Sequence, residues 1–342
     1  MIIHILICDD SLVARKQVAS ALPADWPVEL HFAEDGKQAL AFLQQHGADV
    51  LFLDLNMPEL DGYGVLSIIK EQNLPVMTVV ISGDIQPTAK HKVRTLGAIG
   101  FITKPIVKQE LTQLLMDYGL YRPNTVQAQM QTAIGLEIPN NIESNDTVTL
   151  FEFLQEMANI AMGQASNLLA QLLKVFIQQP IPRVALIARS ELNMAISAIE
   201  GNTDYSAVCQ GFVGAGVSGE ALLLFTDTNS EQMAKLLHYE NETSSAPEIE
   251  VLLDISNILF SAFIKGLGEQ LDIHFGLGQP HILGRHQPIE GLLAHHKQQT
   301  EQLLCIEIPY ELAQQNINCN LLVLLTESSV TRLEQRLSYL LQ

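Results

Sequence analysis

The chain has 342 residues, 47% hydrophobic and 17% charged, the composition of a folded protein of about two or three domains rather than a disordered or fibrous one. Its formal net charge is −19, unevenly spread: residues 1–121 carry 9 Lys+Arg against 14 Asp+Glu, and residues 122–342 carry 10 against 24. So acidic a C-terminal part repels a phosphate backbone and argues against a DNA-binding output.

Four scattered cysteines (Cys8, Cys209, Cys305, Cys319) form no CxxC and read as reduced core thiols of a cytoplasmic protein. The opening MIIHILICDD is apolar but lacks a basic n-region, so it reads as a strand rather than a signal peptide. No apolar run approaches the roughly 20 residues that cross a bilayer, and no membrane insertion is expected.

Strand-like runs recur at Ile2–Cys8, Val28–Phe32, Val50–Leu53, Val76–Ile81 and Ala98–Ile102. Helical patterns lie between and after them, at about 11–21, 36–46, 62–71, 87–96 and 106–117. Five strands alternating with five helices predict a doubly wound, five-stranded parallel α/β domain. Polar residues gather at the strand ends: Asp9 and Asp10 after the first, Asp54 after the third, Ser82 at the fourth, Lys104 at the fifth. Ligands of open α/β sheets bind at such ends. A single acid ending a strand is commonly just solvated, but five polar residues in sheet order form a constellation. Three carboxylates together repel unless a cation sits between them, and oxygen ligands select a hard ion, Mg2+ above all. A lysine and a hydroxyl aimed at the same point suit a phosphoryl group. Asp54 is then a candidate carboxylate nucleophile forming an aspartyl phosphate.

These features resemble a response-regulator receiver domain of the CheY-like type over residues 1–121. The matching segments are Asp9-Asp10, DLNMPELDG around Asp54, Ser82-Gly83, LGAIGFITKP and Lys104-Pro105. The resemblance implies that Asp54 is the phosphoacceptor. It implies Mg2+ held by Asp9, Asp10, Asp54 and the main-chain carbonyl of Asn56. It implies that Ser82 and Lys104 contact the phosphoryl group, that Ser82 and Phe101 form the switch pair, and that Lys104-Pro105 is cis. A histidine kinase is the implied phosphodonor.

Residues 122–146 hold two prolines and several Gln/Asn with little periodicity and read as a linker, with a short helix possible at 124–134. From 147 the pattern changes. Thr149 and Glu152 make a capping box before a helix whose apolar face is Phe151, Leu154, Ala158, Ala161, Ala165, Leu168 and Leu172. At 100° per residue Glu156 and Asn159 fall opposite that face, which predicts that they are exposed. Strand-like runs follow at Arg183–Ala188, Ala207–Val213 and Ala221–Thr226, then a short helix near 230–238. The order then repeats. Ser245 and Glu248 make a second possible cap, and a long helix carries Leu252, Leu259 and Phe263 on one side with Asp254 and Asn257 on the other. Strands are expected at 271–277, 302–308 and 318–325, with a closing helix at 329–341. Both halves, about 147–240 and 245–342, share an acid-x-x-Asn pair followed after twenty-two residues by a proline: Glu156/Asn159 with Pro182, and Asp254/Asn257 with Pro280. This reads as an internal duplication in an α+β domain over 147–342.

That second part resembles the CheC/CheX/FliY phosphatase family. The resemblance implies hydrolysis of the aspartyl phosphate on a phosphorylated receiver protein, with Asn159 positioning the water and Glu156 docking on the target's lysine. It implies the same of Asn257 and Asp254, although Asp254 is one methylene shorter than the usual Glu. Two other readings stand beside it: a non-catalytic module docking on a receiver, kinase or motor component, and a phosphatase directed at the chain's own Asp54. A homodimer is a possible assembly. Gly214, Gly216 and Gly219 match GxGxxG, but a strand-like run follows them, so they read as a hairpin turn rather than a dinucleotide site. His281, His286, His295 and His296 lack ligand spacing and are not read as a metal site.

Overall fold

A computed structural model of the chain describes residues 2–123, 148–188, 205–226, 246–287, 302–312 and 317–337. The possible helices at 124–134 and 230–238, most of the linker, Ser245, His295 and His296 lie outside these residues. The chain divides into two units, Met1–Val148 and Thr149–Gln342.

The first unit alternates strand and helix as the periodicity predicts. Its elements are β1 (Ile3–Cys8), α1 (Leu12–Ala21), β2 (Val28–Ala33), α2 (Gly36–Gln45), β3 (Val50–Leu53), α3 (Gly62–Gln72), β4 (Met77–Ser82), α4 (Pro87–Thr95), β5 (Gly100–Thr103) and α5 (Lys108–Asp117). All neighbouring strands are parallel, in the order β2-β1-β3-β4-β5. Alternate residues of the central strands enter two cores. Leu6, Cys8, Leu51, Leu53 and Val80 pack with α2 and α3 residues, while Ile5, Ile7, Val50, Phe52, Val79 and Ile81 pack with α1 and α5 residues. Burial on both faces explains why these strands read as continuous apolar runs. The first three helices start where a side chain accepts an orphan amide: Ser11 from Ala14, Asp35 from Gln38 and Asp61 from Gly64. The order of winding reverses between β1 and β3, so their C-terminal ends flank a crevice.

The second unit contains α6 (Leu150–Leu173), β6 (Arg183–Ala188), β7 (Tyr205–Gly214), β8 (Val217–Thr226), α7 (Ala246–Leu271), β9 (Gly276–Leu277), β10 (His281–Gln287), β11 (Gln302–Leu312), β12 (Ile317–Thr326) and α8 (Glu327–Leu337). Thr149 and Glu152 close the predicted capping box, with Glu152 accepting from the Thr149 backbone at 2.8 Å. The strands form one antiparallel sheet, β10-β7-β8-β12-β11-β6, with β9 added against β7. Exchanging β6, β7 and β8 for β10, β11 and β12 leaves that order unchanged, so each half lends its first strand to the other half. The helices α6 and α7 pack on each other. At their crossing a Cβ on Gly266 would meet the Ala161 backbone at 3.1 Å.

The strand expected at 271–277 is not formed as such. The helix α7 runs through Leu271, β9 is two residues, and β10 begins at His281. The apolar residues 259–271 continue the 3.6-residue period, and the helical ladder keeps them. The glycines of the GxGxxG match sit in the β7–β8 hairpin, where Ala215 and Gly216 take the left-handed conformation (φ 48° and 80°). The segment Ile249–Leu271 is long and apolar enough to cross a membrane by length and composition, although single polar residues interrupt its apolar run; 67% of its most apolar stretch is buried inside the protein.

Candidate functional site

The sheet ladder continues past the strand ends and holds the polar residues in register. Asp9 N donates to Ala33 O (3.1 Å), Asp54 N to Cys8 O (2.9 Å), and Lys104 N to Ser82 O (2.9 Å). Each functional Cα is thus positioned by backbone bonds rather than by a loop. The helix α3 begins hard against the site: a Cβ at Gly62 would lie 2.2 Å from the Asp54 carbonyl oxygen. Only glycine permits that approach. The Lys104-Pro105 peptide is cis.

Asp9, Asp54, Ser82 and Lys104 are all buried, and Asp10 is half-buried. Lys104 Nζ lies 2.7 Å from Asp9 Oδ2 and 3.3 Å from Asp54 Oδ1. The second Asp54 oxygen accepts from Asn56 N at 2.8 Å. One carboxylate oxygen of each of Asp9, Asp10 and Asp54 lies within 4.8 Å of the others. Three acids this close, two of them buried, with a single lysine between two of them, fit a hard divalent cation by charge and by donor type. Ser82 Oγ accepts from Asp84 N at 3.1 Å. Phe101 is half-buried, with Lys90 Nζ 5.2 Å from its ring centroid.

Two participants were not anticipated. Arg15 is buried, and its Nη1 donates to the carbonyls of Asp9 (2.7 Å) and Asp10 (3.3 Å) while Nη2 bonds Glu34 (3.1 Å), bracing the acidic corner from behind. Its place one turn into α1, facing the strand it follows, was the available signal. Asp84 is buried, and its Oδ1 accepts from Gln86 N (2.9 Å) and Gln86 Nε2 (3.2 Å). Burial pushes its carboxyl up to about 6; the Asp54 charge adds to this, against the Gln86 bonds and Lys90.

Comparison with known proteins supports the same assignment. Residues 5–116 match the family described as response regulator receiver domain. The N-terminal unit carries a receiver domain. A protein-glutamate methylesterase/protein-glutamine glutaminase of Treponema denticola is 33% identical over 129 residues, covering 34% of this chain and 35% of that protein. A probable transcriptional regulatory protein NarL of Mycobacterium tuberculosis is 29% identical over 116 residues, 34% of this chain and 54% of that protein. The chain therefore spans about a third to a half of these relatives. The solved receiver domain of the putative NarL from Mycobacterium tuberculosis aligns over 35% of this chain and 98% of its own, at 29% identity and a TM-score of 0.33.

Beyond the receiver domain, the two acid–Asn pairs differ in a way the helical wheel did not foresee. Glu156 and Asn159 are 2% and 7% exposed, which corrects their expected place on a solvent face. Gly163 and Ser166 share that side and are buried as well, and Phe153 and Ile160 flank it, so α6 is enclosed all round over its first half and is a core helix there. Leu168 and Leu172, expected in the core, are 47% and 40% exposed. Asn159 Oδ1 is buried without a hydrogen-bond partner among the described residues. Asp254 and Asn257, by contrast, are exposed. They belong to one solvent stripe of α7, Glu250, Asp254, Asn257, Ser261, Lys265 and Glu269, at steps of three and four. The stripe runs beside a cleft of about 590 Å3 lined by Ser261, Lys265, Asp272 and His274.

Proposed function

We propose that the chain is a two-component response regulator phosphorylated on Asp54 by a histidine kinase, and that its second unit removes aspartyl phosphate from a receiver protein. The exposed Asp254–Asn257 pair carries the output half of this reading. Two polar groups one turn apart, on the open stripe of an otherwise buried helix, can meet another protein's surface. A carboxamide can hold a water by donating and accepting at once, and a neighbouring carboxylate can pair with a partner's lysine. Orienting the water is the main demand of such hydrolysis, so no covalent step on the phosphatase is required. The symmetric strand order supports the duplication on which the pairing of the two sites rests.

At the input site, Asp9, Asp10, Asp54 and the Asn56 carbonyl would hold Mg2+, which neutralises charge on a phosphoryl group in flight. Lys104 stands between Asp9 and Asp54 and offers the phosphoryl oxygens a fixed cation. The Ser82 hydroxyl stands ready to donate. The Asn56 amide anchors one Asp54 oxygen and leaves the other to attack.

The reading makes the second pair the working one, because a buried Glu156–Asn159 pair cannot reach a partner's phosphate. Phosphate release from a panel of phosphorylated receivers is expected to fall at least about tenfold with Asn257→Ala. With Asn159→Ala it is expected to change by less than about twofold. Unchanged decay with Asn257→Ala would leave the docking module as the surviving function. Truncation after residue 121 tests the self-directed form: a longer-lived Asp54 phosphate in the shortened chain is its signature.

A further inference from the structure

The N-terminal end of the receiver sheet, opposite Asp54, carries a second group of metal-ligating side chains. β1 and β2 pair in parallel register with His4 beside Glu29. Strand side chains alternate, so His31, two residues after Glu29, returns to the same face. The backbone thus brings two imidazoles and a carboxylate together without help from a loop. His4 Nδ1 lies 3.6 Å from Glu29 Oε2, and His31 Nε2 lies 3.5 Å from Glu29 Oε1. One donor atom from each of the three residues falls within 4.8 Å of the others.

We propose that His4, Glu29 and His31 form a site for a divalent transition cation of the zinc class. Donor separation is the first reason. Ligands at about 2.05 Å around a tetrahedral ion are roughly 3.3 Å apart, so the two N–O gaps need to close by only a few tenths of an ångström. Donor type is the second. Two imidazoles and one carboxylate suit Zn2+, Cu2+ or Ni2+, whereas the all-oxygen cluster at Asp9, Asp10 and Asp54 suits Mg2+. Pre-organisation is the third. The two imidazole rings stack at 6.0 Å and 17°, the His31 ring rests on Phe42 at 4.7 Å, and the His4 amide is tied to Asp49 Oδ2 at 2.8 Å. The three side chains are 49%, 50% and 28% exposed, so the ion has an entry path and water can complete its coordination. His4 and Asp9 are five positions apart along β1 and its end, roughly 16 Å, so the two cation sites bind independently.

The full-length chain, saturated with Mg2+, is titrated with Zn2+ by calorimetry. One Zn2+ per chain is expected in the wild type. His4→Gln/His31→Gln should lose that equivalent or weaken it at least about 100-fold, and Glu29→Gln should weaken it by a smaller factor. A variant with His281, His286, His295 and His296 all changed to Gln should bind as the wild type does. Cu2+ in place of Zn2+ should give an electron paramagnetic resonance signal split by two imidazole nitrogens, absent from the double variant. The fluorescence of Trp26, the single tryptophan, and the Mg2+ affinity verify that each variant is folded. Unchanged Zn2+ affinity in the folded double variant overturns the proposal, as does loss confined to the variant at 281–296. If the double variant misfolds, Glu29→Gln and the two-nitrogen signal of the wild type decide alone, and absence of that signal is equally fatal.

Discussion

At the scale of single residues, the acidic corner is governed by burial. Asp84 titrates near 6 rather than at its ordinary 3.8. Between those two pH values the native chain holds a proton that the unfolded chain has released, so stability falls as pH rises from about 4 to 6. The effect is on the order of 3 kcal/mol. Urea unfolding followed by Trp26 fluorescence, which reports the receiver unit, should show this loss in the wild type and a flatter profile in Asp84→Asn. Gly62 sets a second constraint. An added Cβ would overlap the Asp54 carbonyl and approach Leu55 Cα to 2.9 Å, and both are backbone atoms that cannot yield cheaply. Gly62→Ala is expected to destabilise the receiver unit by about 1–3 kcal/mol and to slow phosphorylation of Asp54 by a small-molecule donor at least about tenfold. Equal phosphorylation rates in the two proteins would mean that the start of α3 does not position Asp54.

At the scale of elements, local chemistry decided where helices begin, and packing decided which of their faces are wet. The Thr149–Glu152 box satisfies two donors at the start of α6. Thr149→Ala should lower the protection of the first α6 amides from hydrogen exchange, by about 1 kcal/mol. Protection at Leu173 should be untouched. The longest apolar stripe of α6 leaves Glu156 and Asn159 on the far side, but Phe153 and Ile160, off that stripe, already mark a helix apolar on more than one side. Once α6 meets both α7 and the sheet, Glu156 and Asn159 are enclosed. The polar stripe of α7 was legible from spacing alone, because its acids, amide and lysine keep one period for five turns. Spacing shows the single wet face of α7, and the neighbours of α6 complete its burial.

At the scale of the whole molecule, charge is the simplest lever. Bringing Asp9, Asp10 and Asp54 together concentrates negative charge that one lysine does not balance. A cation that binds this corner in the native state stabilises it by mass action, about 2.7 kcal/mol at a hundredfold excess over Kd. Mg2+ is expected to raise the urea midpoint reported by Trp26, and Asp9→Asn to abolish most of the shift. An identical shift in that variant would remove Asp9 from the cation site.

The sequence by itself determined the receiver architecture and its acidic corner. Both are written in periodicity and in residues next to strand ends: a two-face-buried strand must be apolar, and its last residue must point into the crevice. Sequence also carried the repeated helix–strand order of the second unit. Only the tertiary structure decided the rest. Arg15 acts on the corner through its bonds to backbone carbonyls and Asp84 through its burial, and only the packed structure shows either. The exchange of β6 and β10 between halves depends on long-range pairing. Whether an acid–Asn pair is exposed depends on what packs beside its helix. His4 stands 25 and 27 positions before Glu29 and His31, and joined them only when β1 and β2 fell into parallel register.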